Sequence, residues 1–63
     1  MDLNKAIAAV DERKSGKRVH FDWNDWSSAE ETLRKAGDES RADFAHSEAI
    51  RAYRKEEWDA DLG

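Results

Sequence analysis

His20 and Asp22 stand two residues apart, and Ser27 follows close behind. Such residues could ligate a metal or pair a nucleophile with a base. On an extended segment residues two apart share a face. His20 and Asp22 would then point the same way, and His46 or an acid could complete the set. Metal sites ordinarily take three or four ligands, so the pair alone is a solvated polar face and no metal is expected. A hydrolase needs a nucleophile with a positioned base. Ser27 lacks the Gly-x-Ser-x-Gly elbow. Glu30 and Glu31 point apart on a helix, and there is no glycine-rich phosphate loop. A chain of 63 residues leaves little room for an enclosed pocket. The expectation is no catalytic residue, no cofactor and no enzymatic activity.

The elements that place these residues are read outward from 16–28. Val19, Phe21 and Trp23 alternate with Arg18, His20 and Asp22, the period of a strand. This predicts a short strand or extended segment over about 17–23, with Asn24 and Asp25 supplying a turn. A strand needs partners for its edges. Those partners are its copy in a homodimer, the sheet edge of another protein, or water. Ser27 with Glu30, and Ser28 with Glu31, form overlapping capping boxes and predict a helix over about 28–36. Ala29, Leu33 and Ala36 form its buried edge. Glu30–Arg34 and Glu31–Lys35 are favourable pairs at i and i+4, and Gly37 ends the helix.

Before this stretch, Asp2 caps a helix over about 2–15. Leu3, Ala6, Ile7 and Val10 share one face. Arg13 and Lys14 suit its last turn, and Gly16 is its stop. After it, Asp38, Glu39 or Ser40 caps a long helix over about 39–58, with a frayed end at 59–63. Ala42, Ala45, Ala49, Ala52 and Tyr53 fall on one face, with Ile50 at its margin. The alanines make that face thin enough for another backbone to approach. Phe44 and Trp58 lie opposite. Either the helix is interrupted near Phe44, or both aromatics are exposed beside Arg51 and Lys55. The fold class is therefore mainly α: one small α+β domain in the order helix, short strand or extended segment, helix, long helix.

Composition narrows function further. Charged residues are 41% of the chain, the net charge is −4 and there is no cysteine. Disulfides and thiolate zinc sites are excluded. So small a core favours reinforcement by a partner. The apolar start lacks a basic n-region and is not read as a signal peptide. No run approaches the length needed to span a membrane, and a cytoplasmic location is expected. Residues 1–20 hold five basic and three acidic groups, residues 21–63 six basic and twelve acidic. Acidic surface disfavours nucleic acid and favours basic partners. The three tryptophans serve either as core bulk or as binding hot spots.

A strand followed by two helices resembles the ribbon-helix-helix repressors and antitoxins, and Ser47-Glu48-Ala49-Ile50-Arg51 is similar to a stretch of that family's second helix. The resemblance covers 17–58. It implies a dimer whose paired strands enter the DNA major groove, with Arg18, His20 and Asp22 facing the bases. A preceding helix, Asp22 itself and the negative net charge depart from that pattern, so this DNA-binding reading, carried by Arg18 and His20, stands as the alternative. In size, charge and lack of chemistry the chain is similar to small inhibitors and antitoxins of phages and mobile elements, anti-CRISPR proteins among them. The favoured expectation is a non-catalytic inhibitor that blocks a basic, nucleic-acid-handling protein by steric and electrostatic contact. The acids Asp38, Glu39, Glu48, Glu56, Glu57 and Asp59 would steer the encounter, and Trp26, Phe44 and Trp58 would hold the complex.

Overall fold

A computed structural model of the chain describes the backbone of residues 1–62 and the side chains of residues 1–56. The described residues form α1 (Leu3–Lys14), α2 (Trp23–Lys35) and α3 (Glu39–Leu62), with no strand among them.

α1 begins where Asp2 accepts from the Lys5 N–H. At its end Gly16 takes a φ of +89°, a left-handed conformation that glycine adopts without steric cost. Its N–H donates to the Arg13 carbonyl, and the Lys17 N–H donates to that of Glu12. These two bonds satisfy carbonyls that the last turn leaves open. α2 ends in the same way. Gly37 has φ +82° and donates to Arg34, and Asp38 donates to Leu33. The Asp38 carboxylate then accepts from the Arg41 N–H at 3.2 Å and caps α3. One residue thus closes α2 and opens α3, so the two helices form a tight hairpin.

The strand expected over 17–23 does not form. Residues 17–22 are a non-helical linker, and Trp23 is already helical. The start of α2 is correspondingly earlier than Ser28. Asp22 is its cap: the Asp25 N–H donates to Asp22 Oδ1 at 2.8 Å, and the Asp22 N–H donates to Asp25 Oδ2 at 3.2 Å. This reciprocal pair displaces both serine capping boxes. The longer helix places Trp26 at i−3 from Ala29 and i−7 from Leu33, on one apolar stripe. Burying that indole is the gain that an isolated three-residue alternation could not match. Val19 and Phe21 remain in the linker and pack on the core.

α2 against α3 is the most extensive helix contact, and α1 leans on both. The core comprises Ala6, Ala9 and Val10 of α1, Trp26, Ala29 and Leu33 of α2, and Ala42, Ala45 and Ala49 of α3. Ala42, Ala45 and Ala49 of the alanine face of α3 are buried in this core, whereas Tyr53 at its end is exposed. α3 continues unbroken past Phe44 and on to Leu62, beyond the expected end at 58. No described helix is long and apolar enough to cross a membrane.

Candidate functional site

The expected partner-binding residues are dispersed by the fold. Trp26 is only 3% exposed and meets Phe21 edge-on, with ring centroids 5.0 Å apart. It is core bulk. Phe44 is half-buried, and Lys14 Nζ lies 5.3 Å from its ring centroid, within the range of a cation–π contact. Glu48 is 9% exposed and paired with Arg13 at 3.5 Å. Asp38 is held by Arg41 at 2.6 Å. Glu39 is exposed in the first turn of α3, where negative charge suits the helix dipole. Glu56 Oε2 lies 3.5 Å from the Trp23 N–H at the start of α2. Glu57, Trp58 and Asp59 lie outside the described side chains.

These acids do not make one face. Glu39 and Glu48 are about two and a half turns apart and point to opposite sides of α3. Glu48 turns to α1 and Glu56 to α2, so both serve the fold. The candidate chemistry is dispersed too. Asp22 is occupied as a cap, and Ser27 lies inside α2. Among the described residues no three potential metal ligands gather.

Two other surfaces emerge. The first is an open, largely apolar groove of about 350 Å3 between α2 and α3, lined by Trp23, Ser27, Glu30, Ala49, Ile50 and Tyr53. Trp23 and Tyr53 meet edge-to-face at 5.4 Å and 86°. Ile50 remains 41% exposed and Tyr53 46%. On α3 the positions Glu39, Asp43, His46, Ile50 and Tyr53 advance by four and three residues, so they form one stripe. The groove's own polar lining is mixed, with Glu30, His46 and Arg54; Glu39 and Asp43 lie further along the stripe, where Asp43 pairs with Arg34 at 3.4 Å. Glu30 accepts from Arg34 at 2.8 Å and pairs with His46 at 3.0 Å. Burial pushes its carboxyl up, but those two hydrogen bonds outweigh burial and hold it below the ordinary value.

The sequence reading missed Trp23 in this role by assigning it to a strand. Moving the helix start to Asp22 would have placed Trp23, Ser27 and Glu30 at i, i+4 and i+7 on one stripe. The Asp22-x-x-Asp25 spacing was the available signal.

The second surface lies on the linker side of α3. A groove of about 380 Å3 is lined by Arg13, Arg18, Val19, Glu48, Arg51 and Lys55, among others. A neighbouring hollow of about 440 Å3 shares Arg18, Val19, Ala52 and Lys55 and extends to His20, Phe21 and Glu56. Arg18 and His20, assigned to DNA contact in the ribbon-helix-helix alternative, are exposed here on the non-helical linker.

The chain matches no protein-family model, and no curated protein or solved structure shows significant similarity to it.

Proposed function

We propose that this chain is a non-catalytic protein-binding domain whose partner seats an apolar side chain between Trp23, Ile50 and Tyr53. The observation that carries this reading is the exposure of Ile50 and Tyr53 beside the Trp23 ring. Aromatic anchors around a groove are typical centres of protein interfaces. The partner's surface around that side chain is basic. Glu39 and Asp43 continue the α3 stripe beyond the groove, Asp43 stays 75% exposed although it pairs with Arg34, and the whole chain carries a charge of −4. Opposite charge speeds encounter, and apolar burial slows dissociation. A nucleic-acid-handling protein has such a basic surface, and a domain seated on it would block access sterically, as an inhibitor does.

The test is a photo-cross-linking residue placed at position 50, followed by purification of the protein captured. That protein should bind the native chain and lose about tenfold or more in affinity for Ile50→Asp or Tyr53→Ser. Unchanged affinity for both variants, with their helicity intact, would refute the proposed groove. Charge reversal at Glu39 and Asp43 should slow association at low salt. If it leaves the rate unchanged, the basic-partner part of the reading is wrong.

A further inference from the structure

The second groove carries cations in a chain that is acidic overall. Arg13 is committed to Glu48. Arg18, Arg51 and Lys55 line the same space, and none of the three has an ion pair among the described residues. Val19, Ala52 and Trp26 supply the apolar part of the same lining.

The linker adds a second, independent observation. Among the described residues the N–H groups of Arg18, Val19, His20 and Phe21 find no acceptor within the chain. Their carbonyls receive no donor either. Four consecutive peptide units therefore stay open beside the cations.

We propose that the groove between residues 16–21 and α3 binds an acidic, extended peptide segment of a protein partner. A peptide can exchange N–H and C=O hydrogen bonds with the open units 18–21, as in strand addition. Spacing favours the same ligand. Arg51 and Lys55 are one helical step of four residues apart, about 6 Å along α3. Alternate residues of an extended peptide repeat at about 6.6 Å. Carboxylates at every second position can meet Arg51 and Lys55, while side chains between them lie towards Val19 and Ala52. Arg18 closes on the ligand from the linker side.

Nucleic acid fits less well. A phosphodiester backbone has no N–H to give the open carbonyls. Glu48 and Glu56 stand along the groove and oppose an unbroken run of phosphates. Trp26 is buried and Phe21 is engaged with it, so no free ring faces the groove to stack a base. This site is separate from the α2–α3 groove and does not depend on it.

The test uses the whole chain and a fluorescein-labelled octapeptide of alternating Glu and Thr, followed by anisotropy at low salt. Controls are the Lys-Thr counterpart and a single-stranded thymidine oligonucleotide. The Glu-Thr peptide should bind, and Arg51→Glu or Lys55→Glu should each weaken it by about tenfold. Arg18→Glu offers a third reading should either α3 variant lose helicity. Hydrogen exchange at the amides of 18–21 should slow on binding. No binding of the Glu-Thr peptide overturns the proposal. So does equal binding by the charge-reversed variants, or unchanged exchange at 18–21. Tighter binding of the oligonucleotide than of the peptide would also overturn it, in favour of a nucleic-acid surface.

Discussion

Arg41 donates from Nε to Asp11 Oδ1 at 3.0 Å and thereby fastens the first turn of α3 to the last turn of α1. The same guanidinium donates to Asp38 at 2.6 Å, the residue that closes α2 and caps α3. One cation thus holds all three helix ends together. Its own pKa is raised by the hydrogen bonds to Asp11 and Asp38, so it stays charged at any ordinary pH.

The Arg41 hydrogen bonds hold the Asp11 and Asp38 carboxyls below the ordinary aspartate value. A carboxyl with a lower pKa folded than unfolded binds fewer protons when folded. Its stabilisation is present above the unfolded value, near pH 4, and is lost as pH falls through the folded value. Thermal melts between about pH 6 and pH 2 should show the native chain losing stability in the acid limb. Arg41→Met should be less stable at pH 6, and the gap between the two proteins should close in acid. A gap that stays constant across this range would mean that Arg41 acts by packing alone.

The start of α2 gives a direct comparison of rival caps. Asp22→Ala removes an acceptor from the Asp25 N–H and should cost about 1 kcal/mol. Ser27→Ala and Ser28→Ala fall inside the helix, where alanine is favoured, and should change stability by no more than about 0.5 kcal/mol. Urea unfolding of the three variants decides the matter. A larger loss at Ser28 than at Asp22 would restore the later helix start.

Local chemistry was legible in the sequence wherever short range decided the outcome. Asp2, Gly16, Gly37 and Asp38 bound their helices as their residue types imply. Glu30–Arg34 at 2.8 Å and Glu31–Lys35 at 3.3 Å form the expected pairs. The error lay where two local signals competed. Asp22-x-x-Asp25 and Ser28-x-x-Glu31 can both start a helix, and only the tertiary burial of Trp26 favours the earlier one. The site followed the same logic. Which of Trp23 and Trp26 remains exposed depends on how α2 is rotated against α3, a relationship that α2's residues alone do not determine. Glu48 reads as a steering charge in the sequence because its partner Arg13 stands 35 residues earlier.

Trp26 should be indispensable. Leu33 and Val10 are the largest fully buried side chains, so much of the remaining core is alanine. Replacing a buried Trp by Ala typically costs about 3–5 kcal/mol, comparable to the roughly 3–5 kcal/mol that so small a core supplies. Trp26→Ala should therefore be largely unfolded at 25 °C by far-ultraviolet circular dichroism, and Trp26→Phe only weakened. A folded, cooperative Trp26→Ala protein would contradict the assignment of this ring to the core.

Glu48 poses a different balance. Its carboxylate is nearly buried and Arg13 is its ionic partner. Arg13→Met leaves that charge short of a partner and should cost about 1–2 kcal/mol. Glu48→Met exchanges a desolvated charge for apolar volume and should cost less. In the double variant the loss should be smaller than the two single losses combined, because a buried pair is often replaceable by well-packed apolar groups. Strict additivity in urea melts would show that the two side chains do not interact across the α1–α3 contact.

Stability and binding should separate at the α2–α3 groove. Ile50 is over two-fifths exposed, so truncating it removes little packing. Ile50→Asp should shift unfolding by about 0.5 kcal/mol or less. Trp23→Ala should cost more, since Trp23 is half-buried and packs edge-on against Tyr53. Its loss should also weaken the effect of a second substitution at Tyr53, because aromatic pairs of this kind contribute about 0.5–1.5 kcal/mol beyond burial. A large destabilisation by Ile50→Asp would assign that residue to the fold. A small one leaves an apolar side chain whose exposure the fold does not require, and that is the property expected of a residue kept for a partner.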